Sequence, residues 1–94
     1  MTTTLVTLSN FPEPALVDQQ SLDDLEEAGI YGNWFINDDG HGNMFVRIKH
    51  GGTVVSVARL ITKAQRGERA TFKNGNRFDL RLSNLKVVKI GGSN

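Results

Sequence analysis

Few side chains in this 94-residue sequence are suited to moving a proton near neutral pH, and His41 and His50 lead them. Each sits beside glycine, in "NDDGHGN" and "KHGG", and both read as exposed turn residues. There is no cysteine, and no second His stands at metal-ligand spacing from either histidine. The chain therefore carries no expected metal site and implies no cofactor. Its larger chemical resource is positive charge. Arg59, Lys63 and Arg66 recur at i, i+4 and i+7, which is one face of a helix. Lys73, Arg77 and Arg81 straddle a turn, and Arg47 and Lys49 alternate along a strand, so they share one sheet face. Cations grouped this way contact phosphates, and strands presenting Arg and Lys can enter a nucleic-acid groove. The bland reading of the same eight residues is a solvated face.

The charge is divided along the chain. Residues 1–40 hold eight acids and no Lys or Arg, whereas residues 41–94 hold eleven Lys or Arg and two acids, Glu68 and Asp79. Either the two parts neutralise each other across the fold, or the basic part meets a polyanion. The length fits one domain over residues 1–94 with a modest core. No apolar run approaches a membrane span, and the N-terminus has no basic signal-peptide region. With cysteine absent, the expected address is cytosolic.

The elements that must position these residues can be read in order. "TLVTLS" (4–9) is strand-like and is ended by Asn10 and the pair Pro12 and Pro14. "SLDDLEEAG" predicts a short helix with Ser21 as N-cap, Gly29 at C′, and Leu22 and Leu25 facing the core. "NWFIN", "NMFVRIKH" and "TVVSV" predict an antiparallel meander, with Trp34 in the core and Phe35 either core or exposed. Val57, Leu60, Ile61 and Ala64 predict a helix with one buried stripe. "ATFK" and "RFDL" flank Asn74-Gly75, a short-hairpin signal. "LSNL" is a helical turn, "KVVKI" a last strand, and "GGSN" a loose tail. Asn84 is placed to cap backbone N–H groups, and Asp79 and Arg81 to pin the turn by an ion pair or backbone hydrogen bonds.

Three blocks of the chain resemble, in order, the small HNH-type endonucleases of phages and mobile introns, whose fold overlaps that of ethylene-response-factor-type DNA-binding domains. "ALVDQQSLDDLEEAGIYGNWFIN" is similar to the family's opening, and "MFVRIKHGGTVVSVARLITKA" to its hairpin and first helix. "FKNGNRFDLRLSNLKVV" is similar to its closing signature of Gly-Asn, Asp-x-Arg and Asn-Leu. The resemblance covers nearly the whole chain. It implies an α+β fold with a small antiparallel sheet, a packed helix and a ββα unit over the closing signature.

In that family a divalent metal polarises the scissile phosphate and a histidine takes a proton from water. Asn84 stands where the family has its later metal ligand. Thr71 stands at the earlier ligand position, and its neutral hydroxyl replaces an anionic or imidazole ligand. Phe72 stands at the general-base position, and Ala58 precedes Arg59 where a His is common. The resemblance therefore implies a catalytically degenerate relative and not an enzyme. A weak nuclease with an unorthodox site is the less favoured reading. Two functions fit. One is a module that binds nucleic acid through its basic face without cutting. The other is a phage-encoded inhibitor of anti-CRISPR type, docking Asp23, Asp24, Glu26 and Glu27 on a host complex that handles nucleic acid.

Overall fold

The computed structural model describes residues 2–90, so the tail "GGSN" lies outside the described residues. The chain runs β1 (Thr3–Leu8), β2 (Phe11–Asp18), α1 (Gln19–Glu27), β3 (Trp34–Asp38), β4 (Met44–His50), β5 (Thr53–Ser56), α2 (Val57–Thr62) and β6 (Glu68–Phe72). A 3-10 turn (Leu82–Asn84) and β7 (Leu85–Lys89) complete it. Five strands form one sheet in the order β2-β1-β3-β4-β5, and β6 pairs with β7 in a second. The fold is α+β, as expected. The larger sheet is mixed, because β1 meets β3 in parallel at Leu8 and Trp34.

Asn10, read as a strand breaker, supplies that junction. Its side-chain amide donates to the Ile36 carbonyl at 2.9 Å and accepts the Ile36 N–H at 2.7 Å. A side chain thus continues the ladder where the backbone turns away. Pro12 and Pro14 do not end the sheet. They lie within β2, an edge strand, beside the irregularity between Val6 and Leu8 of its partner. A residue without an N–H is tolerated at an edge or bulge, which is why the expectation of a break fails.

Helix α1 starts one turn earlier than expected. Asp18 is its N-cap and Ser21 is buried inside it. Its end is as read. Gly29 takes a φ of +78°, its N–H donates to the Glu26 carbonyl, and the Ile30 N–H donates to the Leu25 carbonyl. That double bond is the Schellman arrangement, and it favours glycine at the left-handed position. Strands β3, β4 and β5 form the expected meander. Val46 and Ile48 of β4 are buried with Trp34, while Phe45, Arg47 and Lys49 alternate onto the other face.

Two expectations about the second half are corrected. The helix after β5 ends at Thr62, because Lys63 adopts a left-handed backbone with φ of 58°. Arg59, Lys63 and Arg66 consequently do not line one helix face. The Asn74-Gly75 segment also does not join two paired strands, because β6 pairs with β7 from Glu68↔Lys89 to Phe72↔Leu85. The residues between them form an asparagine-rich excursion, and the ββα unit is not confirmed. Leu80, at the end of "RFDL", docks on the outer edge of β2. The Leu16 N–H donates to the Phe78 carbonyl and the Leu80 N–H to the Leu16 carbonyl, each at 2.8 Å. Phe78 stacks on Phe11 with ring centroids 5.0 Å apart, and Leu80 is buried. The edge left by β2 is thereby covered at Leu16.

Candidate nucleic-acid interface

The positions that the resemblance matches to nuclease chemistry make contacts within the fold. Thr71 lies on β6 and its hydroxyl donates to the Lys86 carbonyl across the ladder at 3.2 Å. Phe72 packs against the core cluster, and Ala58 is buried in it. Asn84 is buried. Its amide nitrogen donates to the Asp79 carbonyl and its amide oxygen accepts the Asn74 N–H, both at 3.0 Å. Among the described residues, no group of three or more His, Cys, Asp or Glu side chains could hold a metal ion. His41 and His50 are exposed, as expected.

Asp79 and Arg81 form the expected ion pair, at 2.7 Å, with Asp79 only 2% exposed. Asp79 also accepts the Asn74 side-chain amide and the Arg81 N–H. The Arg81 side chain donates directly to its carboxylate, and this holds Asp79 below the usual carboxylate value and raises Arg81. Arg81 is therefore committed to the loop. Arg59 is committed as well, since its guanidinium donates to the backbone carbonyls of Glu68 and Gln65. It ties the end of α2 to the start of β6.

Arg47, Arg69 and Arg77 converge with Arg59. A cleft of about 840 Å³ opens between β4, β5, α2 and β6, and its lining includes Arg47, Arg59, Arg69 and Arg77. Arg77 lies over the Phe45 ring at 4.7 Å and Arg47 lies near the same ring at 5.4 Å. The aromatic ring attracts both guanidinium groups without neutralising them. Arg77 also donates to the Asn43 amide oxygen at 3.3 Å. The Nε of Arg47 is buried and has no hydrogen-bond partner. Among the described residues Asp79–Arg81 is the one salt bridge, so no carboxylate pairs with Arg47, Arg69 or Arg77. Asp39 stands at the rim. Its carboxylate accepts the Asn43 side-chain amide and the His41 N–H, which lower its pKa, with a smaller contribution from the charge of Arg77.

Of the eight expected cations, Arg47, Arg59 and Arg77 reach this cleft. Lys49 shares the outer face of β4 with Arg47, while Lys63, Arg66 and Lys73 are exposed elsewhere and Arg81 is held by Asp79. Arg69 and Phe45 belong to the cleft and were not among the expected residues. Arg69 stands between "RGE", which reads as the end of a helix, and the strand-like "ATFK". The alternation Phe45-x-Arg47 was the available signal for Phe45. The acidic residues Asp23, Asp24, Glu26 and Glu27 are all exposed on α1. No helix among the described residues is long and apolar enough to cross a membrane.

No family model matches the chain, and no curated protein or solved structure matches it.

Proposed function

We propose that the protein is a non-catalytic, HNH-like module of phage or mobile-element origin that binds nucleic acid in the cytoplasm of a host cell. The observation that carries this reading is the cleft lined by Arg47, Arg59, Arg69 and Arg77, none of which pairs with a carboxylate among the described residues. Asp39 is the one acid in the lining, so the cleft keeps a net positive charge, and a polyanion relieves the repulsion among its arginines. The absence of cutting is supported by Phe72, whose ring offers no proton acceptor, and by Asn84, whose amide is already used on both sides.

The test is binding to a mixed-sequence duplex and to a single strand, at about 50 and then about 200 mM salt, with Mg²⁺ present and cleavage scored in the same samples. Micromolar or tighter binding that weakens steeply with salt, with the nucleic acid left intact, is the expected result. Absence of binding to both at the lower salt overturns the reading.

A second reading is supported by the exposed acidic face of α1. There Gln19 and Gln20 hold Asp23 and Asp24 by i, i+4 hydrogen bonds, and among the described residues no cation pairs with them. On this reading the chain is an inhibitor of anti-CRISPR type that presents carboxylates to a phosphate-binding site on a host nucleoprotein complex. Replacing Asp23, Asp24, Glu26 and Glu27 with Lys separates the two. Retained binding to nucleic acid favours the first, and loss of capture of a purified CRISPR effector favours the second.

A further inference from the structure

The cleft differs from a surface that reads duplex phosphates. Its volume of about 840 Å³ lies in the range of sites for small ligands, about 300–1,000 Å³, enough for about one or two nucleotides and not for stacked base pairs. Its lining is divided in character. Arginines stand on β4, β6 and the loop at Arg77, while Leu60, Ala64 and Phe72 supply apolar surface. Phosphates lie on the outside of a wide duplex, meet cations on an open face, and gain nothing from apolar surface in a recess. An unpaired nucleotide offers both parts, a phosphate for the guanidinium donors and an unstacked base for the apolar wall.

Building on the nucleic-acid reading above, we infer that this cleft receives an unpaired nucleotide of a single strand, with its phosphate on Arg47, Arg69 and Arg77 and its base against the apolar wall. Arg47 and Arg77 are positioned by Phe45, which leaves guanidinium donors for phosphate oxygens. The buried, unpartnered Nε of Arg47 marks a side chain whose hydrogen-bonding capacity the protein itself does not fill.

The experiment measures binding of a labelled oligothymidylate of about ten nucleotides and of a mixed-sequence duplex by anisotropy, at about 50 mM salt. Thymidine monophosphate, thymidine and inorganic phosphate are the competitors. Variants Arg69→Ala and Arg47→Met are compared with Lys89→Ala, an exposed cation outside the cleft, after circular dichroism confirms that each is folded. The single strand is expected to bind at least about tenfold more tightly than the duplex. Either cleft variant is expected to weaken it by about tenfold or more, and Lys89→Ala by less than about threefold. Thymidine monophosphate should compete better than thymidine or phosphate.

Equal binding of duplex and single strand, or cleft variants no worse than Lys89→Ala, overturns the inference and leaves the nucleic-acid reading intact. Absence of binding to either strand form overturns both.

Discussion

Asn84 donates its side-chain amide to the backbone carbonyl of Asp79, 3.0 Å away, and in doing so joins the start of β7 to the loop that precedes it. The other side of the same amide accepts the Asn74 N–H. A residue that could ligate a metal is thereby consumed as a backbone clamp. Buried amides with both ends satisfied are costly to disturb, because removal orphans the groups they served.

Two outcomes are expected from this clamp. Asn84→Ala should lower stability by about 2 kcal/mol in urea denaturation, since it orphans the buried Asp79 carbonyl and removes the bond to the Asn74 N–H. The pair Thr71→Asp and Phe72→His should not restore Mg²⁺-dependent nicking of a supercoiled plasmid, because Asn84 remains turned toward Asp79 and Asn74. Nicking by that variant would show that the clamp opens to receive a metal.

Asp79 makes stability depend on acid. Hydrogen bonds from Arg81 outweigh burial, which acts to raise the pKa, and leave it lowered in the folded state. A carboxylate with a lowered folded pKa stabilises fully above its unfolded value, about pH 4, and loses that contribution as pH falls through the folded value. Urea midpoints taken from pH 7 downward should therefore fall below about pH 4. Asp79→Asn should lose about 2–3 kcal/mol at pH 7 and show a shallower decline in acid.

Arg59 should behave as a structural residue despite its place in the cleft wall. Its guanidinium spans two backbone carbonyls, those of Gln65 and Glu68. Arg59→Ala is expected to lower stability by about 1–2 kcal/mol, and Arg59→Lys to recover only part of it, because a compact ammonium cannot reproduce the planar fork. Thermal melts of the two variants check this. A loss of nucleic-acid binding in Arg59→Glu has to be read against its melting temperature.

Lys63 holds a left-handed backbone that its side chain disfavours. Lys63→Gly should be more stable than Lys63→Ala by about 1 kcal/mol in chemical denaturation, since glycine carries no Cβ penalty there. Equal stability of the two would mean that the helix end relaxes into another conformation.

The sequence made the repeating parts of the fold legible. The alternation in "MFVRIKH" places Val46 and Ile48 inside and Arg47 outside, and Gly29 closes α1 as read. What it concealed depended on partners far along the chain. Pro12 and Pro14 signal a break by local rules, and only the edge position of β2 makes them acceptable. Asn74-Gly75 signals a tight hairpin, yet Asn84 and Asp79 capture that segment for a longer excursion. The spacing of Arg59, Lys63 and Arg66 suggested a helix face, but the helix ends before Lys63. Convergence of Arg69 with Arg47 and Arg77 is a tertiary event that spacing cannot reveal.

The docking of Phe78–Leu80 on β2 also bears on how the chain matures. Leu82 donates its N–H to the carboxylate of Asp18, a residue 64 positions earlier. During synthesis the ribosome releases the N-terminal hairpin long before the segment that seals its edge. Until residue 82 has emerged, the outer groups of β2 face solvent and offer other nascent chains a place to pair, with Pro12 and Pro14 limiting how far such pairing can spread. The two prolines, ill-placed for a strand by local rules, thus guard the hairpin during the interval when its natural cover does not yet exist.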